Sequence, residues 1–228
     1  MKEVHNTKGS NLKDIILGGQ DGLVNVLGVI LGVAAATYET RIVIVAGLAA
    51  TFAESISMAA VAYTSTKAAK SYYLSQLNQE KKEINEIPKI EKKGVYEIYY
   101  KKGFRGKLLN DIVKKIISNK KIWLQTMMIE ELGISKNDYE NPKKSAWIVG
   151  LSAIIGSIIP LFPFFFLPVN YSIITAIVLA TLSLFITGSI KAKLTVGNEL
   201  KSGLEMLTIG MLAALAGYLV GYLFNIYF

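Results

Sequence analysis

Residues 15–37 read IILGGQDGLVNVLGVILGVAAAT. That run is long enough to cross a bilayer, which takes about 20 mostly apolar residues of helix. Asp21 sits inside it. A charged side chain at bilayer depth costs at least about 2.5–3.5 kcal/mol on insertion scales, so it normally faces a polar cavity or a partner rather than lipid. The next apolar run, residues 42–66, repeats the pattern with Glu54, followed by Met58. Those two are i,i+4 and share a helix face, as do Asp21 and Asn25 in the first run. Two acids and a thioether at membrane depth suggest a path for a cation.

Working outward, three further runs qualify as spans: residues 146–167, 172–190 and 204–228. The composition agrees. The chain has 228 residues, 52% of them hydrophobic, and a mean hydropathy of +0.39, too apolar for an ordinary soluble domain of this size. The expected architecture is an all-α membrane protein with five transmembrane helices and a helical cytosolic insertion between the second and third. Its expected divisions are 1–69 with the first two spans, 70–145 for the insertion, and 146–228 for the last three.

Charge placement tests the span count. Lys2, Lys8 and Lys13 precede the first span, and the segment from Lys67 to Ser145 carries most of the basic residues. Lys191, Lys193 and Lys201 lie between the fourth and fifth spans. The other connections hold only Glu39 and Arg41, or no charge at all. Basic and non-basic connections therefore alternate, as five spans require, with the N-terminus cytoplasmic and the C-terminus outside. The net charge of +8 is accounted for by these topology-setting lysines, so no nucleic-acid partner is expected. The N-terminal MKEVHNTKGSNLKD lacks the apolar core of a cleaved signal peptide. With the Lys/Ile-rich composition, this leans towards a prokaryotic plasma membrane.

Composition also bounds the chemistry. There is no cysteine, and His5 is the single histidine. Disulfides, cysteine-ligated zinc, iron–sulfur clusters and His-based catalysis are all excluded. No nucleophile motif is present, so an enzyme is not expected. A metal must be held by carboxylates, carbonyls, amides and methionine sulfur. Asp21, Asn25, Glu54 and Met58 would form an oxygen-rich site with one soft donor if their faces meet. That set suits a divalent transition ion better than Ca²⁺ or Mg²⁺.

The insertion carries apolar residues at helical spacing: Leu108, Leu109, Ile112, Ile116 and Ile117, then Ile122, Leu124, Met127, Met128 and Leu132. Pro88 breaks it early, and Gly103 and Gly133 mark helix ends, giving about three helices. Glu80, Glu83 and Glu91, with Met127, Met128 and Glu131, are a second candidate cluster. From spacing alone the glutamates read as a solvated helix face and the methionines as core, although both sulfurs can approach Glu131. Gly28-Val-Ile-Leu-Gly32 and Gly217-Tyr-Leu-Val-Gly221 permit close helix approach within spans. Pro160, Pro163 and Pro168 bound or kink the third span.

The ordered motifs resemble a known family. Gln20-Asp-Gly-Leu-Val-Asn-Val-Leu-Gly28 followed by Ala53-Glu-Ser-Ile-Ser-Met58-Ala-Ala is similar to the first two spans of the vacuolar iron transporter family. Met127-Met-Ile-Glu-Glu131-Leu-Gly resembles its methionine–glutamate motif. Gly156-Ser-Ile-Ile-Pro160-Leu-Phe-Pro163 and Gly203-Leu-Glu-Met-Leu-Thr-Ile-Gly210 resemble its later spans. The resemblance implies a homodimer with a pore between spans one and two, where Asp21 and Met58 hold the metal. It implies a cytosolic metal-binding domain built from Glu80, Glu83, Glu91, Met127, Met128 and Glu131. It further implies export of Fe²⁺, with Mn²⁺ as a second candidate, from the cytosol in exchange for protons, without a prosthetic group. Two positions depart from the pattern: Ala62 and Gly94 stand where the family tends to have acids, and Glu54 is a candidate replacement for the first. A metal sensor or buffer that does not transport, and a proton-coupled transporter of another solute, are the alternative readings.

Overall fold

The computed structural model describes residues 8–135, 141–195 and 197–227. The N-terminal stretch with Lys2 and His5 lies outside them, as does Phe228. Every regular element among the described residues is helical. Five helices are long and apolar enough to cross a membrane, which makes this a multi-pass integral membrane protein. They are α1 (Lys8–Thr37), α2 (Thr40–Glu86), α6 (Pro142–Leu161), α7 (Val169–Leu194) and α8 (Glu199–Tyr227). The chain divides into two compact units, one formed by the segments up to Tyr63 and from Pro142 onward, the other by Thr64–Asn141.

The helices start before the apolar stretches read from sequence, and α2 and α7 also run past them, whereas α6 stops at Leu161, short of the expected residue 167. Hydropathy marks only the part that suits lipid, while a helix continues until something breaks it. Thus α2 ends at Glu86 because Pro88 begins the next helix, where its missing N–H costs nothing. Tyr38, in the left-handed region at φ 54°, makes the tight turn between α1 and α2. Pro160 lies inside the last turn of α6, and a 3₁₀ turn (Phe162–Phe165) follows. The Ser172 hydroxyl at the start of α7 donates to the carbonyls of Pro163 and Leu167, closing the corner.

The membrane unit is organised around α1. Its partners are α6, α8 and α7, and its buried face comprises Leu23, Val26, Leu27, Ile30, Leu31 and Ala34. Lipid supplies no hydrophobic drive between helices, so they associate by close packing of small residues. On one side a Cβ at Gly18 or Gly22 would collide with the carbonyl of Val149 or Ala153 on α6. On the other, the two GxxxG motifs meet each other: a Cβ at Gly217 or Gly221 of α8 would strike the backbone of Gly28 or Gly32. These motifs are therefore spent within one chain. Asn225 completes the α1–α8 seam by donating to the carbonyls of Ala35 and Ala36, both at 3.0 Å, which are orphan acceptors in the last turn of α1.

The second unit comprises the end of α2, α3 (Pro88–Lys101), α4 (Gly106–Ile117) and α5 (Lys120–Thr126), which runs into a π-helical turn (Met127–Glu131). Gly103 and Gly133 take φ of +98° and +66° just after helix ends, as their placement predicts. The core holds Ile84, Val95, Leu109, Val113, Ile116, Trp123 and Met127. Leu108 and Ile122, expected inside from spacing, are exposed, because Leu109–Val113–Ile116 forms the inward stripe of α4 and Trp123 that of α5.

Replacing Gly217 with Ala should separate α1 from α8. Gly→Ala in an unencumbered helix gains about 0.5–1 kcal/mol, whereas overpacking costs about 1–3 kcal/mol. A lower thermal midpoint of the detergent-solubilised protein is expected. Gly197→Ala, whose Cβ would meet only ordinary contacts, should leave it unchanged.

Candidate metal centres

The first candidate centre lies between α1 and α2. The close contacts of Gly18 and Gly22 with α6 hold Asp21 in place on α1. Gly47 lets α2 approach, since a Cβ there would sit 2.9 Å from Ile30 and 2.5 Å from Leu161. With these helices antiparallel, the Glu54 carboxyl comes close enough to Asp21 and Asn25 to interact with both side chains. Asp21, Glu54 and Met58 are half-buried and Asn25 is exposed, so the polar patch opens on the surface of the membrane unit. The neighbouring hydroxyls on α2 are already used. Thr51 donates to Gly47 O at 2.8 Å and Ser55 to Thr51 O at 2.6 Å. The donor atoms left for a cation are the two carboxylates, the Asn25 amide oxygen and the Met58 sulfur. Ala62, two turns beyond Glu54, is buried, so no acid from that position joins the group.

Asp14 is a further buried acid on α1, 5% exposed, with its Oδ2 lacking a hydrogen-bond partner. Sequence reading passes over it because it precedes the apolar run. The signal is its spacing: seven residues before Asp21 puts it on nearly the same face.

The second candidate centre lies in the unit Thr64–Asn141. Glu80 and Glu83 come from the end of α2, beyond its apolar run, and Glu91 from the first turn of α3. One carboxylate oxygen of each lies within 4.8 Å of the others. Glu80 and Glu91 are buried, at 6% and 7% exposure, and each has an Oε2 without a hydrogen-bond partner. Burial, reinforced by Glu91, Glu131 and Glu83, pushes the Glu80 carboxyl up to about 7. Burial and the charges of Glu131 and Glu83 likewise raise Glu91. Gathered, buried carboxylates favour either protons or a cation.

The π turn sets the remaining donors. Its extra residue per turn is a feature common at functional sites. Glu130 is taken by Lys102 in a 2.5 Å salt bridge, leaving Glu131 to face the glutamates. Met127 lies beside Gly94, where a Cβ would be 3.3 Å from its Cε and 3.6 Å from Glu131 Oε2. Met128 is equally buried but lines a different cavity, with Tyr73, Leu77, Leu124 and Ile134. Beside Gly94 a polar cavity of about 400 Å³ opens between Glu97, Lys101, Lys102 and Glu131, the space an acid at position 94 would enter.

The model of the VIT family matches residues 12–222, a range that contains both centres. The chain belongs to the VIT family. Its relatives include "Vacuolar iron transporter 1" of Tulipa gesneriana, 31% identical over 95% of this chain and 88% of that protein. The protein of the same name from Arabidopsis thaliana is 32% identical over 95% and 87%. "Vacuolar iron transporter" of Plasmodium falciparum is 31% identical over 96% and 84%. VIT-family relatives are transporters, and this VIT-family chain is not an enzyme.

The raised Glu80 carboxyl has a definite stability signature. The folded state holds its proton more tightly than the unfolded chain, so stability falls as pH rises from 4.5 to about 7 and levels off above. In metal-free full-length protein carrying Trp147→Phe, the thermal midpoint read from Trp123 emission should follow that slope, and Glu80→Gln should make it shallower, the remainder coming from the raised Glu91. Gly94→Glu should raise the number or affinity of Mn²⁺ ions bound in calorimetric titration, since the added carboxylate enters a cavity already walled by Glu131.

Proposed function

We propose that this VIT-family protein is an iron transporter that moves Fe²⁺, with Mn²⁺ as a second substrate, out of the cytosol in exchange for protons. The observation that carries the reading is Glu54 against Asp21 and Asn25 at membrane depth, in a family whose relatives are named iron transporters. The metal is substrate rather than a resident cofactor. Hard carboxylate and amide oxygens with one thioether suit a borderline divalent ion. Without cysteine or histidine, the ion is held loosely enough to leave again. Metal and protons compete for the same carboxylate oxygens, which couples one flux to the other.

In this reading the insertion is cytosolic and collects metal with Glu80, Glu83, Glu91 and Glu131, assisted by Met127, while Met128 faces the other cavity. Asp21, Glu54 and Met58 then pass it across the membrane, Glu54 standing in for the acid absent at Ala62. The alternation of basic and non-basic connections supports a cytoplasmic N-terminus and an outer C-terminus, and with the Lys/Ile-rich composition a plasma membrane.

The transporting form is a homodimer with the pore between α1 and α2 of both protomers. Ala49, Ala53, Ser57 and Ala60 form an exposed stripe of small residues on α2 beside Glu54. Such a stripe lets a second helix approach closely in a membrane. Two-fold symmetry would then place two Asp21 and two Glu54 around one path.

In proteoliposomes, Asp21→Ala should abolish Fe²⁺ flux while leaving the protein folded. An opposed pH gradient should accelerate wild-type flux. Unchanged flux in the variant, or metal binding without any flux in the wild type, would sink the mechanism. Ala53→Trp should lower flux and shift the protein to a monomer on size exclusion with light scattering.

A further inference from the structure

We propose that the groove between α2 and α6 is a binding site for a single anionic phospholipid from the leaflet at the start of α6. The groove encloses about 370 Å³. Its walls are Phe52, Ile56 and Ala59 on α2 with Gly150, Leu151 and Ile154 on α6, and they are almost wholly apolar. Gly150 gives the groove its depth: a Cβ there would already stand 3.0 Å from that of Ala59.

One end differs in chemistry from the rest. Lys143, Tyr63 and Trp147 line it, a basic residue and two amphipathic aromatics of the kind that sit at headgroup level. From Lys143 to Ile154 the helix rises about 16 Å at 1.5 Å per residue, close to half of a hydrocarbon core about 30 Å thick. The slot therefore has the length of one leaflet, a wet cationic mouth and a dry interior. That pattern fits an acyl chain lying along α6 with its phosphate at Lys143. A second copy of the chain is the poorer occupant. Phe52 and Ile56 line the groove from the α6 side of α2, and a lysine at the rim complements phosphate.

The two tryptophans supply the readout. Trp147 is 71% exposed at the groove, whereas Trp123 is buried in the other unit. In full-length Trp123→Phe protein reconstituted with brominated phosphatidylglycerol or brominated phosphatidylcholine at equal mole fraction, Trp147 emission should be quenched more strongly by the anionic lipid. A relative affinity of about fivefold is expected of one lysine at an anionic surface. Lys143→Gln should bring the ratio near one, while Lys144→Gln, whose side chain does not line the groove, should leave it. Where Trp123→Phe does not fold, the same signal is the difference between wild type and Trp147→Phe. Equal quenching by both lipids would reduce the groove to ordinary lipid contact. An equal loss in both lysine variants would make the preference diffuse charge. No quenching by either lipid would mean that protein covers the groove. Each of these overturns the site.

Discussion

Close approach of backbones along α1 is the constraint on which the rest depends. In a bilayer, apolar side chains gain nothing by leaving lipid for one another, so helices are joined where they can come near. Glycines give α1 two such seams, with Gly18 and Gly22 against α6 and Gly28 and Gly32 against Gly217 and Gly221 of α8. Asp21 lies between the residues of the first seam. Its carboxylate is thus presented from a stretch of α1 held by backbone contact with α6, where Glu54 and Asn25 come near it.

The two candidate centres solve one electrostatic problem in different media. Each gathers like charges where water is scarce, a costly arrangement unless a cation or protons join them. Between α1 and α2 the acids are half-buried and open on the surface of the membrane unit, as suits an ion in transit. In the insertion, Glu80 and Glu91 are nearly sealed and leave carboxylate oxygens without partners, as suits an ion being held. The Lys102–Glu130 pair shows that countercharge is close at hand, yet it is directed at Glu130 and leaves Glu131 free to face the glutamates.

The five spans, the helix-ending roles of Pro88, Gly103 and Gly133, and the shared faces of Asp21–Asn25 and Glu54–Met58 were legible in the sequence. Each rests on hydropathy, backbone stereochemistry or helical period, all local properties. What could not be read depends on which surfaces meet. Both GxxxG motifs are visible in the sequence, but nothing there tells that they face each other. Met127 and Met128 both have the spacing to reach Glu131, yet the π turn alters the period and sends Met128 to another cavity. Asp14 escaped because its burial comes from tertiary packing, outside any apolar run.

The α1 seams also set the order of assembly. Gly18 and Gly28 enter the membrane with the first span, but their partners Val149 and Gly217 are synthesised only with the third and fifth spans. Until then α1 carries an uncovered carboxylate and two open glycine faces, with only α2 emerging in time to cover Asp21. The membrane unit therefore cannot mature hairpin by hairpin as the ribosome proceeds. It closes last, when α8 arrives and Asn225 takes the final carbonyls of α1. A nascent chain stopped before α8 would leave its oldest helix the least protected, the natural target for membrane quality control.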